Sequence, residues 1–258
     1  MHSEKQEEFF LTDSFLKSMV KANPTYLFLL IAYFIGCSLS SAAECYKNVH
    51  QSEKDTVPIT EKISIRKKYI NYDEKRKELS LEYLKLRHGI IKSAPVITPK
   101  MIILHNTGGG TLESNFNYFN HTEIETARDI NRKQSKLNVS AHYLIDRDGA
   151  IYQLMDDTAF ARHSIGLNYC AIGIENIGNE KAPLTKEQVK ANAELIRYLC
   201  SKYSIEYMIG HSEYIQFRNT PLWKELDPDY ITFKLDPGDE FLKQVRLLIK
   251  DLHLKYKP

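Results

Sequence analysis

The chain has 258 residues, of which 43% are hydrophobic and 11% aromatic, which is enough to build one sizeable folded domain with appendages. Lys and Arg number 35 against 33 Asp and Glu, so the net charge is only +2. This near balance excludes the strongly basic surface of a typical nucleic-acid-binding protein, and we expect no nucleic-acid partner.

The first 43 residues contain a candidate export segment. Residues 26–36 form an uncharged apolar run, and small residues follow as far as Ala43. This order favours a secretory signal and predicts an exported protein of the periplasm or outer membrane. Met19 would provide a shorter, more basic start than Met1. Two alternatives stay open, namely an uncleaved membrane anchor, which gives possible membrane attachment through the N-terminus, and lipidation at Cys37.

Residues 44–60 are polar and predict a linker, so the predicted folded domain spans residues 61–258. Between residues 72 and 88, Leu79, Tyr83 and Leu86 recur at helical spacing, which predicts a helical segment that leans on the domain. A continuous apolar run over residues 101–105 is typical of a buried central strand, and it ends at His105.

The glycine-rich residues 108–110 follow that strand, and they lack the spacing of a phosphate-binding loop. We expect a helix over residues 112–133 with a break near residues 120–121. Two alternating runs, 139–145 and 150–154, flank a turn at 146–149 and predict a hairpin.

Residues 171–178 predict another strand, in which Glu175 is the only charged residue. A capping box that starts at Thr185 and includes Gln188 predicts a helix to about residue 203. The order of these elements predicts an α/β fold, in which a mixed central β-sheet is flanked by α-helices.

A candidate metal site is formed by His105, His211 and Asp236. Two histidines and one carboxylate suit zinc and leave its fourth tetrahedral position for water, which is the arrangement of a catalytic site. No cysteine follows His211, so oxygen must complete the set. Lys234 precedes Asp236 by two residues, and in extended chain both would face one cavity. The pattern predicts a hydrolase with one zinc ion per chain.

Several motifs carry a family resemblance. They are IILHNT, VSAHYLIDRDGAIYQL, ARH, IGIEN, GHSEY and KLDPGDEF, and they occur in this order. The chain resembles the zinc-dependent N-acetylmuramoyl-L-alanine amidases of the type 2 family, which includes AmpD, AmiD, phage lysozyme-amidases and the peptidoglycan recognition proteins. The resemblance covers residues 99–241 approximately. The N-terminal extension is more similar to AmiD than to the cytoplasmic AmpD.

The resemblance implies a role for each matching residue. It places His105, His211 and Asp236 on the three zinc ligands, Glu175 on the catalytic glutamate, and Lys234 on the lysine that contacts the reacting carbonyl. The implied reaction is hydrolysis of the amide bond between N-acetylmuramic acid and L-alanine, with a zinc-activated water as nucleophile. The alternative is a non-catalytic module that binds peptidoglycan.

The resemblance also implies that His142 and His163 line the cleft, where we expect them to contact substrate or to support the ligands. Asn106, which departs from the family pattern, is a third candidate for substrate binding. The segment over residues 214–233 is longer than the corresponding segment in the minimal family members. The expected partner is peptidoglycan or soluble muropeptides, and the sequence does not distinguish between them or specify an oligomeric state.

Overall fold

A computed structural model describes residues 63–125 and 134–258, so the predictions on the export segment, the linker and the last part of the 112–133 helix lie outside the described residues. A six-stranded sheet forms the centre, in the order β1-β4-β3-β5-β2-β6. The strands are β1 Ile65–Lys67, β2 Met101–Asn106, β3 Tyr143–Ile145, β4 Ile151–Gln153, β5 Ala171–Asn176 and β6 Tyr207–Gly210.

The sheet is mixed, as predicted. β3 and β4 pair antiparallel through the predicted hairpin, whereas the other neighbouring strands pair parallel. The two long central strands, β2 and β5, are buried almost along their whole length. This burial explains why their sequences are continuously apolar rather than alternating.

Four α-helices accompany the sheet in the described residues, and they are α1 Glu74–His88, α2 Leu112–Asn120, α3 Lys186–Lys202 and α4 Asp239–Leu248. The predicted capping box begins α3, because the Thr185 side chain accepts from the Gln188 backbone amide and the Gln188 side chain accepts from the Thr185 amide. A 3-10 helix, His211–Phe217, follows β6 directly.

The core lies on both faces of β2. Ile102 and Leu104 pack into a cluster that includes the apolar face of α3. Met101 and Ile103 point to the opposite face and pack into a cluster with Phe217. Because successive strand residues alternate between faces, one strand joins the two clusters. The confirmed architecture is therefore an α/β sandwich, in which the interior strand β2 joins the two core clusters.

The strand register determines where the site lies. His105 is paired with Glu175 across β2 and β5, and Leu104 is paired with Gly210 across β2 and β6. These three strands are parallel, so their carboxyl ends meet at one edge of the sheet. Side chains at or just after the ends of the strands therefore converge there, as in other open α/β sheets.

Besides the short 3-10 helices, two strands and one α-helix were not predicted. β1 has three residues and β6 has four, so neither is long enough to give a clear periodic signal. The sequence at the start of α4 was interpreted only as the KLDPGDEF motif, and no helix was predicted there. Cys170 is buried and Cys200 is partly buried, and both are free thiols. No helix among the described residues is long and apolar enough to cross a membrane.

Candidate active site

Three potential metal ligands come together at the carboxyl edge of the sheet. His105 Nδ1 lies 3.0 Å from His211 Nδ1. The Asp236 Oδ2 atom lies 3.1 Å from His211 Nδ1 and 3.4 Å from His105 Nδ1. His105 is the penultimate residue of β2, His211 follows β6, and Asp236 comes from the loop before α4. Three separate elements therefore each contribute one donor atom.

The donor set fits zinc in number, chemistry and spacing. Ligands about 2.05 Å from a tetrahedral zinc ion stand about 3.3 Å from one another. The three observed separations of 3.0, 3.1 and 3.4 Å are close to that value. Among the described residues, His105, His211 and Asp236 are the group whose potential metal-ligating atoms lie this close together. His105, His211 and Asp236 could therefore hold one ion.

The charges of these ligands suit a cation. Burial is the main cause that lowers the pKa of His211 to about 4, so its ring is neutral at pH 7. Burial alone would raise the pKa of Asp236, but the neighbouring His105 and His211 rings hold this pKa well below its usual range. As metal ligands, two neutral imidazoles and one carboxylate would present lone pairs and a net charge of −1.

His163 orients the first ligand. His105 Nε2 lies 3.0 Å from His163 Nδ1, and His163 Nε2 lies 3.1 Å from the carbonyl oxygen of Ala171. Burial lowers the pKa of His163, so its ring is neutral and its one proton must be on Nε2, facing the carbonyl. His163 Nδ1 then accepts from His105 Nε2, which leaves His105 Nδ1 unprotonated and available to a metal.

His142 is not at the cavity, which corrects the expectation that it contacts substrate. Its side chain is fully buried, its Nε2 donates to the Ala159 carbonyl, and its Nδ1 accepts from the Gly173 amide. Its ring lies 6.0 Å from the His163 ring, centroid to centroid. Both nitrogens are used inside the core, so His142 supports His163 by packing and cannot reach a ligand.

Gly173 explains how His163 fits against the sheet. A Cβ atom at position 173 would lie 2.7 Å from His163 Cγ, a distance that carbon atoms do not tolerate. The bare backbone of β5 thus leaves the space that the imidazole occupies. The IGIEN motif therefore contributes both the glycine under His163 and the carboxylate two residues later.

Glu175 is the only carboxylate in β5, and the pairing of β2 with β5 places it beside His105. Burial raises the pKa of Glu175 to about 7, Asp236 adds to this rise, and His105 and Lys234 oppose it. Its Oε2 atom is buried and makes no hydrogen bond. A carboxyl group with a pKa near neutrality is suited to exchange protons in both directions.

Lys234 lines the same cavity as Asp236 and Glu175. Lys234 and Asp236 are partly buried, whereas Phe233 and Leu235 are exposed, so the segment alternates like extended chain. The two-residue spacing thus brings the cation and the carboxylate to one cavity.

The cavity has a volume of about 360 Å³ and contains more than the predicted residues. Asn106 lines it, with its side-chain oxygen accepting from the Gly108 amide at 3.1 Å. Sequence reasoning missed several further lining residues, which include Tyr83, Asn115, Arg162 and Tyr230. Of these residues, only Arg162 could have been found from the sequence, since it belongs to the ARH motif. The others reach the cavity through tertiary packing.

The fold and the site define a class of protein, an α/β protein with a candidate three-ligand metal site at the carboxyl edge of its sheet. Residues 95–239, more than half of the chain, match the family described as N-acetylmuramoyl-L-alanine amidase. The chain belongs to this family, as the motifs predicted.

The individual relatives have low sequence identity to this chain. The endolysin of Escherichia phage T7 is 28% identical over 96 residues, which are 35% of this chain and 64% of the endolysin. The chain thus spans less than two thirds of the length of such curated relatives. Among solved structures, the amidase LysC from Clostridium intestinale URNW is 19% identical over 74% of this chain and 99% of LysC, with a TM-score of 0.46. An AmpD structure is 27% identical over 59% of this chain and 85% of AmpD, with a TM-score of 0.43.

Proposed function

We propose that this protein is a zinc-dependent N-acetylmuramoyl-L-alanine amidase, which hydrolyses the amide bond between N-acetylmuramic acid and the L-alanine of the stem peptide. The convergence of His105, His211 and Asp236 beside Glu175 carries the proposal, since it combines a metal-ligand set with a carboxyl group. Membership of the family specifies the bond. The partners are therefore peptidoglycan or its muropeptides.

Different residues of the chain perform different parts of the reaction. A zinc ion held by this ligand set supplies Lewis acidity, which polarises a carbonyl group and activates water. Glu175 accepts the proton of the attacking water. Because an amide nitrogen is a poor leaving group, the same carboxyl then delivers that proton to nitrogen as the C–N bond breaks. The raised pKa of Glu175 favours this return of the proton.

Lys234 stabilises the negative charge that develops on the carbonyl oxygen. Its ammonium group lines the cavity from the segment that also carries Asp236. A cation beside such an oxygen stabilises its negative charge more than it stabilises the neutral carbonyl. Lys234 therefore acts mainly on the transition state.

The test is digestion of purified peptidoglycan and soluble muropeptides by zinc-loaded protein, followed by mass spectrometry of the products. We expect free stem peptides that begin with L-alanine. Glu175→Gln should keep zinc and lose most turnover, whereas Glu113→Gln, a change on the surface, should behave like the wild type. Binding of muropeptides by the wild type without any release of peptide would instead identify a recognition module.

The metal is tested separately by elemental analysis after dialysis. We expect one zinc per chain in the wild type, and a loss of zinc in His211→Ala and in Asp236→Ala. If both variants kept the full zinc content, these residues would not be the ligands.

A further inference from the structure

A second groove lies beside the active-site cavity. It has a volume of about 930 Å³ and shares Asn106, Gly108, Lys234 and Asp236 with that cavity. The two spaces therefore adjoin each other at the candidate metal site. A substrate whose reacting bond lies at this site can extend in both directions, into the cavity on one side and along the groove on the other.

The groove carries an exposed apolar wall. Phe233 is 87% exposed and Leu235 is 67% exposed, and Phe233 is the most exposed large hydrophobic side chain in the described residues. They alternate with Lys234 and Asp236 along one extended segment. Exposed apolar side chains that stand together beside a binding cavity are typical of a ligand-binding groove. The wall is thus placed to contact what is attached to the reacting bond.

The charged residues of the groove are mainly acidic. Glu180, Asp239, Glu240 and the shared Asp236 line it, against Lys181 and the shared Lys234. Glu240 also accepts from Gln244 at 2.9 Å and lies 4.0 Å from Lys243 outside the lining. Carboxylates repel an anionic ligand and accept hydrogen bonds from hydroxyl groups. An uncharged ligand with many hydroxyl groups and apolar faces fits this surface.

The opposite cavity has different chemistry. Among the described residues, its only carboxylates are Glu175 and Asp236 at the reacting centre, so it lacks the further acidic residues that line the groove. A stem peptide carries free carboxylates, whereas the sugar chain has none once the lactyl group is in amide linkage. The charges of the two spaces therefore favour peptide in the cavity and sugar in the groove.

We propose that the groove is a glycan-binding platform, in which Phe233 and Leu235 contact sugar rings of the glycan strand that continues from the reacting muramic acid. This inference rests on the proposed amidase function and specifies its substrate class, which is glycan-linked peptide with several sugars. Phe233 acts as a specificity-determining residue, and the acidic rim accepts hydroxyl hydrogen bonds.

One experiment compares hydrolysis of three substrates with the same stem peptide, attached to D-lactate alone, to one muramic acid, or to a tetrasaccharide. We expect the wild type to have a higher kcat/KM on the tetrasaccharide than on the lactoyl peptide. In Phe233→Ala this ratio should fall by about ten-fold, the scale of one lost aromatic contact. Phe233→Tyr should restore it. Ile91→Ala, at another highly exposed apolar residue, should not change it.

A second measurement does not require catalysis. Calorimetric titration with a peptide-free tetrasaccharide of N-acetylglucosamine should show binding that Phe233→Ala weakens and Ile91→Ala does not. Absence of binding together with an unchanged substrate ratio in Phe233→Ala would overturn the platform. A dependence of the Phe233→Ala effect on peptide length instead of sugar number would also overturn it. If the wild type cut no substrate but bound the tetrasaccharide through Phe233, the amidase proposal alone would fail.

Discussion

At the scale of single residues, the site depends on a histidine that is not itself a metal ligand. His163 accepts from His105 Nε2 and donates to the Ala171 carbonyl, so it determines which nitrogen of His105 is free. Such supporting contacts raise metal affinity because they fix both the tautomer and the ring orientation of the ligand.

We therefore predict that His163→Leu weakens zinc binding by about 10- to 100-fold, since His105 loses its acceptor. His163→Gln, which keeps an acceptor oxygen, should recover part of this loss. Competition with a chromophoric chelator measures the affinity, and the exposed His253→Leu serves as the control. Equal zinc affinity in His163→Leu and the wild type would contradict this role.

Lys234 gives a second prediction at this scale. Lys234→Ala should leave zinc content and thermal stability nearly unchanged, since the partly buried lysine makes few packing contacts. Its transition-state stabilisation should fall by about 2.7–4 kcal/mol, the usual cost of one lost oxyanion donor. Steady-state kinetics on a defined muropeptide should show the loss mainly in kcat. A change in KM alone would reassign Lys234 to substrate binding.

At the scale of elements, α1 holds the long segment that leads to Lys234 and Asp236. Arg87, near the end of α1, lies 2.5 Å from the buried Glu225 and 3.5 Å from Asp227. The Leu226 amide donates to the Arg87 carbonyl. α1 precedes the residues that match the family, so an element outside that match anchors the segment of the active site.

The segment contains Trp223, the one tryptophan of the chain, which stacks on Tyr214. Gly166 permits this placement, because a Cβ there would lie 2.7 Å from the indole. Tryptophan fluorescence therefore reports on this segment without added probes.

We predict that Glu225→Gln destabilises the protein by about 2 kcal/mol, because the buried Arg87 loses its nearest negative charge and keeps only Asp227 as an anionic partner. The Trp223 emission should shift to the red as the segment loosens. Glu74→Gln, which removes the same charge from an exposed pair with Lys77, should cost less than about 0.5 kcal/mol. Denaturant titration measures both. A stability loss without any change in emission would place the effect in α1 alone.

At the scale of the whole molecule, buried neutral histidines make stability depend on pH. His88, at the end of α1, packs against Tyr83, Phe160 and Tyr169, and it is 3% exposed. Burial lowers the pKa of His88 to about 3, and the Arg87 guanidinium adds to this. Between pH 6.5 and 3 the unfolded chain therefore binds this proton more tightly than the folded chain does.

It follows that stability should fall as pH decreases from 6.5, and that His88→Leu should reduce this fall. The wild type should lose about 3 kcal/mol more than the variant between pH 7 and pH 4. Urea titrations at both pH values measure the loss of stability in each protein. The histidines of the candidate metal site affect both proteins equally, so their effect cancels when the two losses are compared. Parallel pH dependence in the two proteins would contradict the prediction.

Export is also a property of the whole molecule, and we propose it from the apolar residues 26–36 and the small residues that follow. In cells, the mature chain should begin near Glu44 or carry lipid on Cys37. N-terminal sequencing and mass spectrometry of fractionated protein distinguish these outcomes. A soluble cytoplasmic chain that kept residues 26–43 would contradict both.

Local patterns in the sequence predicted the central elements and the residues of the metal site. The continuous apolar run before His105, the hairpin turn, the capping box at Thr185 and the ordered motifs are all short-range signals, since each depends on neighbouring residues. The spacing of Lys234 and Asp236 is local in the same way. The mixed sheet and the family were predicted correctly for this reason.

Tertiary structure alone decided how those residues meet. His142 and His163 looked equivalent in the sequence, but the packing of β3 against β5 buries the first, whereas Gly173 gives the second a place beside His105. The Arg87 and Glu225 pair joins residues 138 positions apart, and the groove beside Phe233 is built from separate loops. Contacts of this kind depend on how distant elements pack, which no pattern of neighbouring residues records.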